Sequence, residues 1–149
     1  MKIRYAEMKD ADDIVRLGKM FAMEYPKYAS HEVVEEDALQ TVQTLLNNSM
    51  ACILVLDHEV DGLIGVMIAV VVPSFYNRSI LIANEVLLYV SPEHRNVNNA
   101  KALITNMETW AKSVNAYNMD LAYPVEHDLH RFYNRLGYGE HEVHCMKAL

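Results

Sequence analysis

Between residues 50 and 90 the chain carries three extended, mostly apolar runs joined by short turns, and this stretch constrains the fold more than any other. Runs 50–56 and 63–72 flank a polar segment, 57–62, that closes on Asp61-Gly62, a strong hairpin pair. Loop 73–78 then leads into a third run, 79–90. Consecutive strands joined by turns this short must be antiparallel neighbours, because a parallel return needs a crossover of a dozen residues or more. Their nearly unbroken apolar character predicts that both faces of the sheet are covered, by helices in a three-layer arrangement. A doubly wound fold with strict strand–helix alternation is excluded.

Helical patterns lie on either side of this meander. A short strand, 3–6, leads to Asp10, expected as an N-cap with Asp13 in capping-box position. Ile14, Leu17, Gly18, Phe21 and Tyr25 follow at helical spacing, and Pro26 ends the helix. Ser30 is expected to cap a second helix with the stripe Val34, Ala38, Val42 and Leu45, stopped at 47–49. Beyond the meander, 98–116 buries Ala100, Leu103, Ile104, Met107, Trp110, Ala111 and Val114. A strand at 119–123, a helix at 126–136 capped by Gly137 and a last strand at 142–148 complete the order β-α-α-β-β-β-α-β-α-β. No repeat or linker interrupts it, so 1–149 reads as a single domain.

Bulk properties narrow the function classes. A chain of 149 residues buries roughly 70% of its unfolded surface and needs no staple. The net charge of −7 disfavours nucleic acid as a partner and weakly suits a cationic one, such as an amine. The longest apolar run falls well short of the ~20 residues of a spanning helix, and no leader-like segment stands at the start. Cys52 and Cys145, both in apolar strand-like runs, read as buried reduced thiols of a cytoplasmic protein. No metal site is expected. Asp57, Glu59 and Asp61 mimic the start of a calcium loop, but Ile68 stands where the closing Glu belongs. His127, His130, His141, His144 and Cys145 do not have the spacing of a closed zinc site.

Chemistry concentrates in 84–112. A buried strand runs into Ser91-Pro92, then a loop holding Arg95 and several amide side chains, then a long helix. The unpaired N–H groups and partial positive charge of a helix start favour an anion such as a phosphate. The plainer reading is a polar turn with Asn98 or Asn99 as an ordinary N-cap.

Two segments carry a resemblance to a known family: LLYVSPEHRNVNNAKALITNMETWAK and LHRFYNRLGY. The first resembles the strand-four, pyrophosphate-loop and helix-three unit of the GNAT superfamily of N-acetyltransferases. The second is similar to that family's late helix, which ends in Tyr-x-x-x-Gly-Phe/Tyr. The resemblance covers the whole chain. It implies an α+β fold with a central mixed, mostly antiparallel sheet of six to seven strands and about four helices. It also implies acetyl transfer from acetyl-CoA to a primary amine by direct attack, with no metal and no membrane. The acceptor is a small molecule or a peptide or protein amine, and assembly as a homodimer is left open. By the same resemblance Arg95, Asn96, Val97, Asn98, Asn99, Ala100 and Lys101 hold the pyrophosphate, and Leu88, Tyr89 and Val90 pair with the pantetheine arm. Tyr133 falls at the general-acid position, although it also reads as one more apolar-face aromatic beside Phe132. Tyr25, Tyr28, Phe75 and Tyr76 would border the acceptor.

The loop departs from the family pattern at Asn98, where a glycine is common; some divergent members, phage-encoded ones among them, also lack these glycines. Glycine allows positive φ and close backbone approach, and Asn is the residue that best tolerates that region in its place. Glu85 is the one acid inside an apolar strand, and desolvation would raise its pKa toward the range of a general base. Alternation places it with Leu87 and Tyr89; the plainer reading is a Glu paired with a basic residue or satisfied at a bulge. A catalytically weak fold that binds coenzyme A or another protein is the alternative to an active enzyme.

Overall fold

A computed structural model describes residues 1–27, 31–124 and 126–147. Its elements are β1 (Lys2–Tyr5), α1 (Ala11–Glu24), α2 (Glu35–Leu46), β2 (Ala51–His58), β3 (Gly62–Pro73), β4 (Leu81–Val90), α3 (Val97–Ser113), β5 (Ala116–Asp120) and α4 (His130–Arg135). The strands form one sheet in the order β1-β2-β3-β4-β5. The first four are antiparallel to their neighbours, and β5 joins β4 in parallel after the α3 crossover. This is the mixed, mostly antiparallel α+β architecture expected.

Both faces of the meander are covered. Leu54, Leu56, Met67 and Ala69 pack toward Leu103, Ile104, Met107 and Trp110 of α3. Ile53, Val55, Val66 and Ile68 turn to the other face, against Ile14 and Leu17 of α1 and Val42 of α2. Period-two alternation along each strand thus feeds two separate clusters. That is why runs such as LIGVMIAVVV look continuously apolar.

Several expectations are corrected. Five strands are found among the described residues, because 141–147 joins no ladder. Val143 and Met146 there are 84% and 68% exposed, so the expected last strand has no face to bury. Cys145 is exposed rather than buried; Cys52 is buried, and burial pushes its thiol up to about 12. Helix α4 starts four residues later than expected, where Asp128 Oδ1 accepts the His130 N–H at 3.3 Å. Helix α2 begins at Glu35 with no side-chain cap, and the expected cap Ser30 lies outside the described residues.

Asp10 does not use its side chain to cap α1. It accepts the Glu7 N–H and is gripped by two guanidinium nitrogens of Arg4, at 2.7 and 2.9 Å. Arg4 also reaches Asp57 at 2.8 Å, tying the start of the chain to β2. Helix α3 ends at Ser113, three residues early, and Asn115 at φ 59° turns the chain directly into β5. That strand therefore starts earlier than the expected 119–123.

Candidate functional site

The loop between β4 and α3 is built around Asn96. Its Oδ1 accepts the Asn99 N–H at 3.0 Å, so Asn96, not Asn98 or Asn99, caps the helix. Asn96 Nδ2 and Asn99 Nδ2 both donate to the His94 carbonyl, at 3.0 and 2.7 Å, which closes the loop on itself. The Asn99 side chain is buried by this arrangement. Val97 and Asn98 form the first helical turn, and their N–H groups have no acceptor among the described residues. No acidic residue stands in this turn, whereas α1 carries Asp12 and Asp13 there and α2 carries Glu35, Glu36 and Asp37.

Asn98 is the position where a glycine would be usual, and the structure explains its tolerance. It lies in helical backbone, and Asn115 is the one non-glycine residue with positive φ among those described. The left-handed conformation that would favour glycine is not used here.

Arg95 is committed to the protein. Its Nη2 reaches Glu24 Oε2 at 2.8 Å and the Val90 carbonyl at 3.0 Å, and Nε also donates to Val90 O, at 3.1 Å. The guanidinium lies 5.3 Å from the centre of the Tyr89 ring, over its face. Glu24, at the end of α1, gathers the two Arg95 nitrogens and the hydroxyls of Tyr25 and Tyr89. The Arg95 guanidinium, ahead of the two phenols, holds the Glu24 carboxyl near 2. Reading the sequence for function missed Glu24. A signal was present: the residue lies three after Phe21 and seven after Leu17, on the buried stripe of α1.

Glu85 sits at an irregularity. The β3–β4 register pairs Ile68 with Leu87 but Ala69 with Glu85, leaving Val86 as an extra, exposed residue. This bulge breaks the alternation that would have grouped Glu85 with Leu87 and Tyr89. At the same level β4 and β5 part company, since their last paired residues are Asn84 and Asp120. The next link is a side chain in place of a ladder bond: the Ala122 N–H donates to Glu85 Oε2 at 2.9 Å. Burial pushes the Glu85 carboxyl up to about 7, with the Ala122 N–H pulling weakly the other way. No basic partner faces it among the described residues. Above Asn84 the β5-side edge of β4, through Leu88, Tyr89 and Val90, is bordered by no strand among the described residues.

Tyr133 is buried on α4, where its ring stacks on Tyr123 at 5.4 Å and 16° and meets Tyr138 edge-on at 6.1 Å. Both Tyr123 and Leu121 follow β5, so α4 and the segment that bonds Glu85 belong to the same packed group. Of the aromatic residues expected at the acceptor, the three described, Tyr25, Phe75 and Tyr76, do not form a cluster. Tyr25 packs on Phe21 and, at 5.4 Å, on His127 of the β5–α4 loop, and Lys27 pairs with Glu126 at 3.1 Å in the same place. Phe75 and Tyr76 lie 94% and 93% exposed against each other, with no contact to Tyr25. Tyr28 lies outside the described residues. A hollow of about 500 Å³ lies between α1 and α2 among Val15, Met20, Met23 and Leu39, and neither Glu85 nor any of the aromatic groups just described lines it.

A capped, acid-free helix start favours an anion such as a phosphate. Comparison with known proteins shows the family. Residues 14–138 match the model of the acetyltransferase (GNAT) family, and the chain belongs to that family. Three solved structures share the fold at low identity. One is glucosamine-6-phosphate N-acetyltransferase from Arabidopsis thaliana: 17% identical, TM-score 0.79, covering 99% of this chain and 97% of that one. Another is a "predicted acetyltransferase" with acetyl-CoA from Clostridium acetobutylicum: 16%, TM-score 0.79, covering 99% and 95%. The third is ribosomal-protein-alanine N-acetyltransferase from Brucella melitensis: 20%, TM-score 0.75, covering 99% and 98%. A search of curated proteins returns no match. Among the described residues no helix is long and apolar enough to cross a membrane.

Proposed function

We propose that this chain is an acetyl-CoA-dependent N-acetyltransferase acting on a primary amine. The carrying observation is the parting of β4 and β5 above Asn84, which leaves a strand edge that runs straight to the α3 start. The residues present suit the cofactor. The free N–H groups of Val97 and Asn98 suit a pyrophosphate, and no carboxylate opposes it; the N–H groups of Asn99 and Ala100 are taken by Asn96, so these two residues shape the turn instead. Exposed Lys101 adds a positive charge one residue further on. Arg95 holds the loop through Glu24 and Val90 and acts as a brace, its guanidinium and its backbone N–H both being taken up by the protein. Leu88, Tyr89 and Val90 offer the edge along which a pantetheine amide chain can pair.

The thioester, when bound, supplies an activated acetyl carbonyl. Glu85 takes the proton from the attacking amine, a role that suits a carboxyl with a pKa near 7 because the base is ionised at neutral pH yet still basic. The Tyr133 hydroxyl donates a proton to the sulfur that leaves, since an emerging thiolate needs a donor held in place. Tyr25, beside His127, borders the acceptor side, and Tyr28, Phe75 and Tyr76 are assigned there by resemblance alone. The acceptor is a small-molecule, peptide or protein amine, and 1–149 acts as one domain.

A thermal shift with acetyl-CoA tests the reading first. At 100 times its dissociation constant a ligand adds ~2.7 kcal/mol of stability, and an unmoved melt at millimolar cofactor overturns the proposal. Thiol release over a panel of amines then reports turnover. Tyr133→Phe is expected to keep the thermal shift and lower turnover by about 10²-fold. Unchanged turnover would remove Tyr133 from the mechanism.

A further inference from the structure

A second polar constellation lies at the tip of the β2–β3 hairpin, outside the acetyl-transfer machinery. His58 ends β2, Asp61 sits in the turn before Gly62, and His94 belongs to the short 3-10 turn that precedes the α3 loop. His58 Nδ1 and His94 Nε2 each stand 3.0 Å from the same oxygen, Asp61 Oδ2. The three donor atoms lie within 4.8 Å of one another, the one such group of His, Cys, Asp or Glu among the described residues. The two imidazoles face each other with centroids 5.1 Å apart.

Hydrogen bonding orients these rings as ligands. The Asp61 N–H donates to His58 Nδ1 at 3.2 Å, so this nitrogen is the unprotonated one, and a metal ion would take its lone pair in place of that N–H. His94 Nδ1 lies 3.3 Å from the hydroxyl of Ser91, a buried residue. In the tautomer with Nδ1–H donating to Ser91, His94 Nε2 turns a lone pair to Asp61; in the other, Nε2–H donates to the carboxylate. Either way two ring nitrogens and a carboxylate oxygen converge on one point, where a metal ion can take the place of the ring proton. A ring nitrogen fixed from behind while its partner faces inward is also the way proteins hold metal-binding histidines. Tetrahedral donors ~2.0–2.1 Å from zinc stand about 3.3 Å apart, close to the two 3.0 Å His–Asp separations present here.

We propose that His58, Asp61 and His94 form a binding site for a divalent transition-metal ion of the zinc type, with solvent completing the coordination. Two imidazoles and one carboxylate suit Zn²⁺ and not Mg²⁺, which demands oxygen donors and keeps its waters. The side chains are 30%, 47% and 24% exposed in chain order, so the ion has open access. The sequence hid the site because His94 comes from a segment 33 residues beyond Asp61. The His94 carbonyl accepts the side-chain amides of Asn96 and Asn99. An ion on its ring therefore pins the hairpin tip to the loop that starts α3.

Isothermal titration of the chelator-stripped full chain with ZnCl₂ tests this. One ion per chain is expected, with a rise in melting temperature that MgCl₂ does not reproduce. His94→Ala and Asp61→Asn should each weaken binding by ~100-fold, and circular dichroism shows whether each variant is folded. If one of them fails to fold, the other decides. His141→Ala combined with His144→Ala, which removes the exposed C-terminal imidazoles, should leave the isotherm unchanged. The proposal is overturned if the stripped wild-type chain takes up no zinc. It is also overturned if binding survives both site variants, or is lost with His141 and His144. Metal uptake is read without any acetyl-transfer assay, so its failure and that of the enzymatic reading are separate.

Discussion

Glu24 and Glu85 are two partly buried carboxylates flanking one region, and their environments drive them in opposite directions. Glu24 has a guanidinium and two phenols, and its pKa is held near 2. Glu85 has one backbone N–H and is pushed to about 7 by burial. Both lose water, so desolvation alone does not set the outcome; the presence of a fixed cation does. A carboxylate charged at every physiological pH can brace a loop but cannot shuttle protons. One poised near neutrality can take and return a proton at the cost of an unpaired charge. Pairs pushed apart in this way mark where structural and chemical roles divide.

The pair should also separate in stability. Between about 2 and 4.5 the unfolded chain binds more protons at Glu24 than the folded one. Its contribution is thus complete above the ordinary carboxyl value and lost as pH falls toward 2. Between 4.5 and about 7 the folded chain binds more protons at Glu85. Its contribution is complete below 4.5 and lost as pH rises through 7.

Glu85→Gln is the strongest way to break the contrast. It should lower kcat/KM by ~10²–10⁴-fold and abolish a rise in rate with pH centred near 7. In urea titrations the same variant should lose the fall in stability between pH 4.5 and 7. A wild-type rate flat across that range would remove Glu85 as the base. Next in size is Arg95→Ala, expected to cost about 1–2 kcal/mol at pH 7 by denaturant titration. The lower end is favoured because the two side chains stay 37% and 28% exposed. The share of that loss carried by Glu24 should fall to about half or less near pH 2, where Glu24 is half protonated, and a loss unchanged there would mean Arg95 acts through Val90 instead. Asn96→Ala should cost ~1 kcal/mol through the α3 cap and also weaken acetyl-CoA binding. The smallest effect is expected from Asn98→Asp, which should add ~0.5 kcal/mol of helix stability while reducing cofactor affinity, since a carboxylate would occupy the anion's place. A tighter cofactor would show that the anion does not sit there.

Much of the frame was legible. The meander, α1 and α3 follow from periodicity, because each buries a stripe long enough to read. Glu85 stood out as the lone acid in its strand. The bulge at Val86 did not, since a one-residue slip is decided by pairing with β3 and leaves no mark in β4 itself. The cap was expected at Asn98 or Asn99 and falls instead on Asn96, a residue of the same type and so of equal capping tendency. His94 decides it, with a carbonyl that collects two of the three amides. The last strand was over-read from a short alternation that had nothing to pack against.

The helical backbone at Asn98 bears on how proteins of this kind are found and how they diverge. Where an anion is met by amides of a regular first turn, any residue except proline supplies the donor, and the side chain there is free to drift. Motif searches keyed to glycine would pass over such chains even where the backbone donors remain. Recognising them depends on the capping residue two positions earlier and on the absence of acids in the turn, a pattern written in what the sequence avoids.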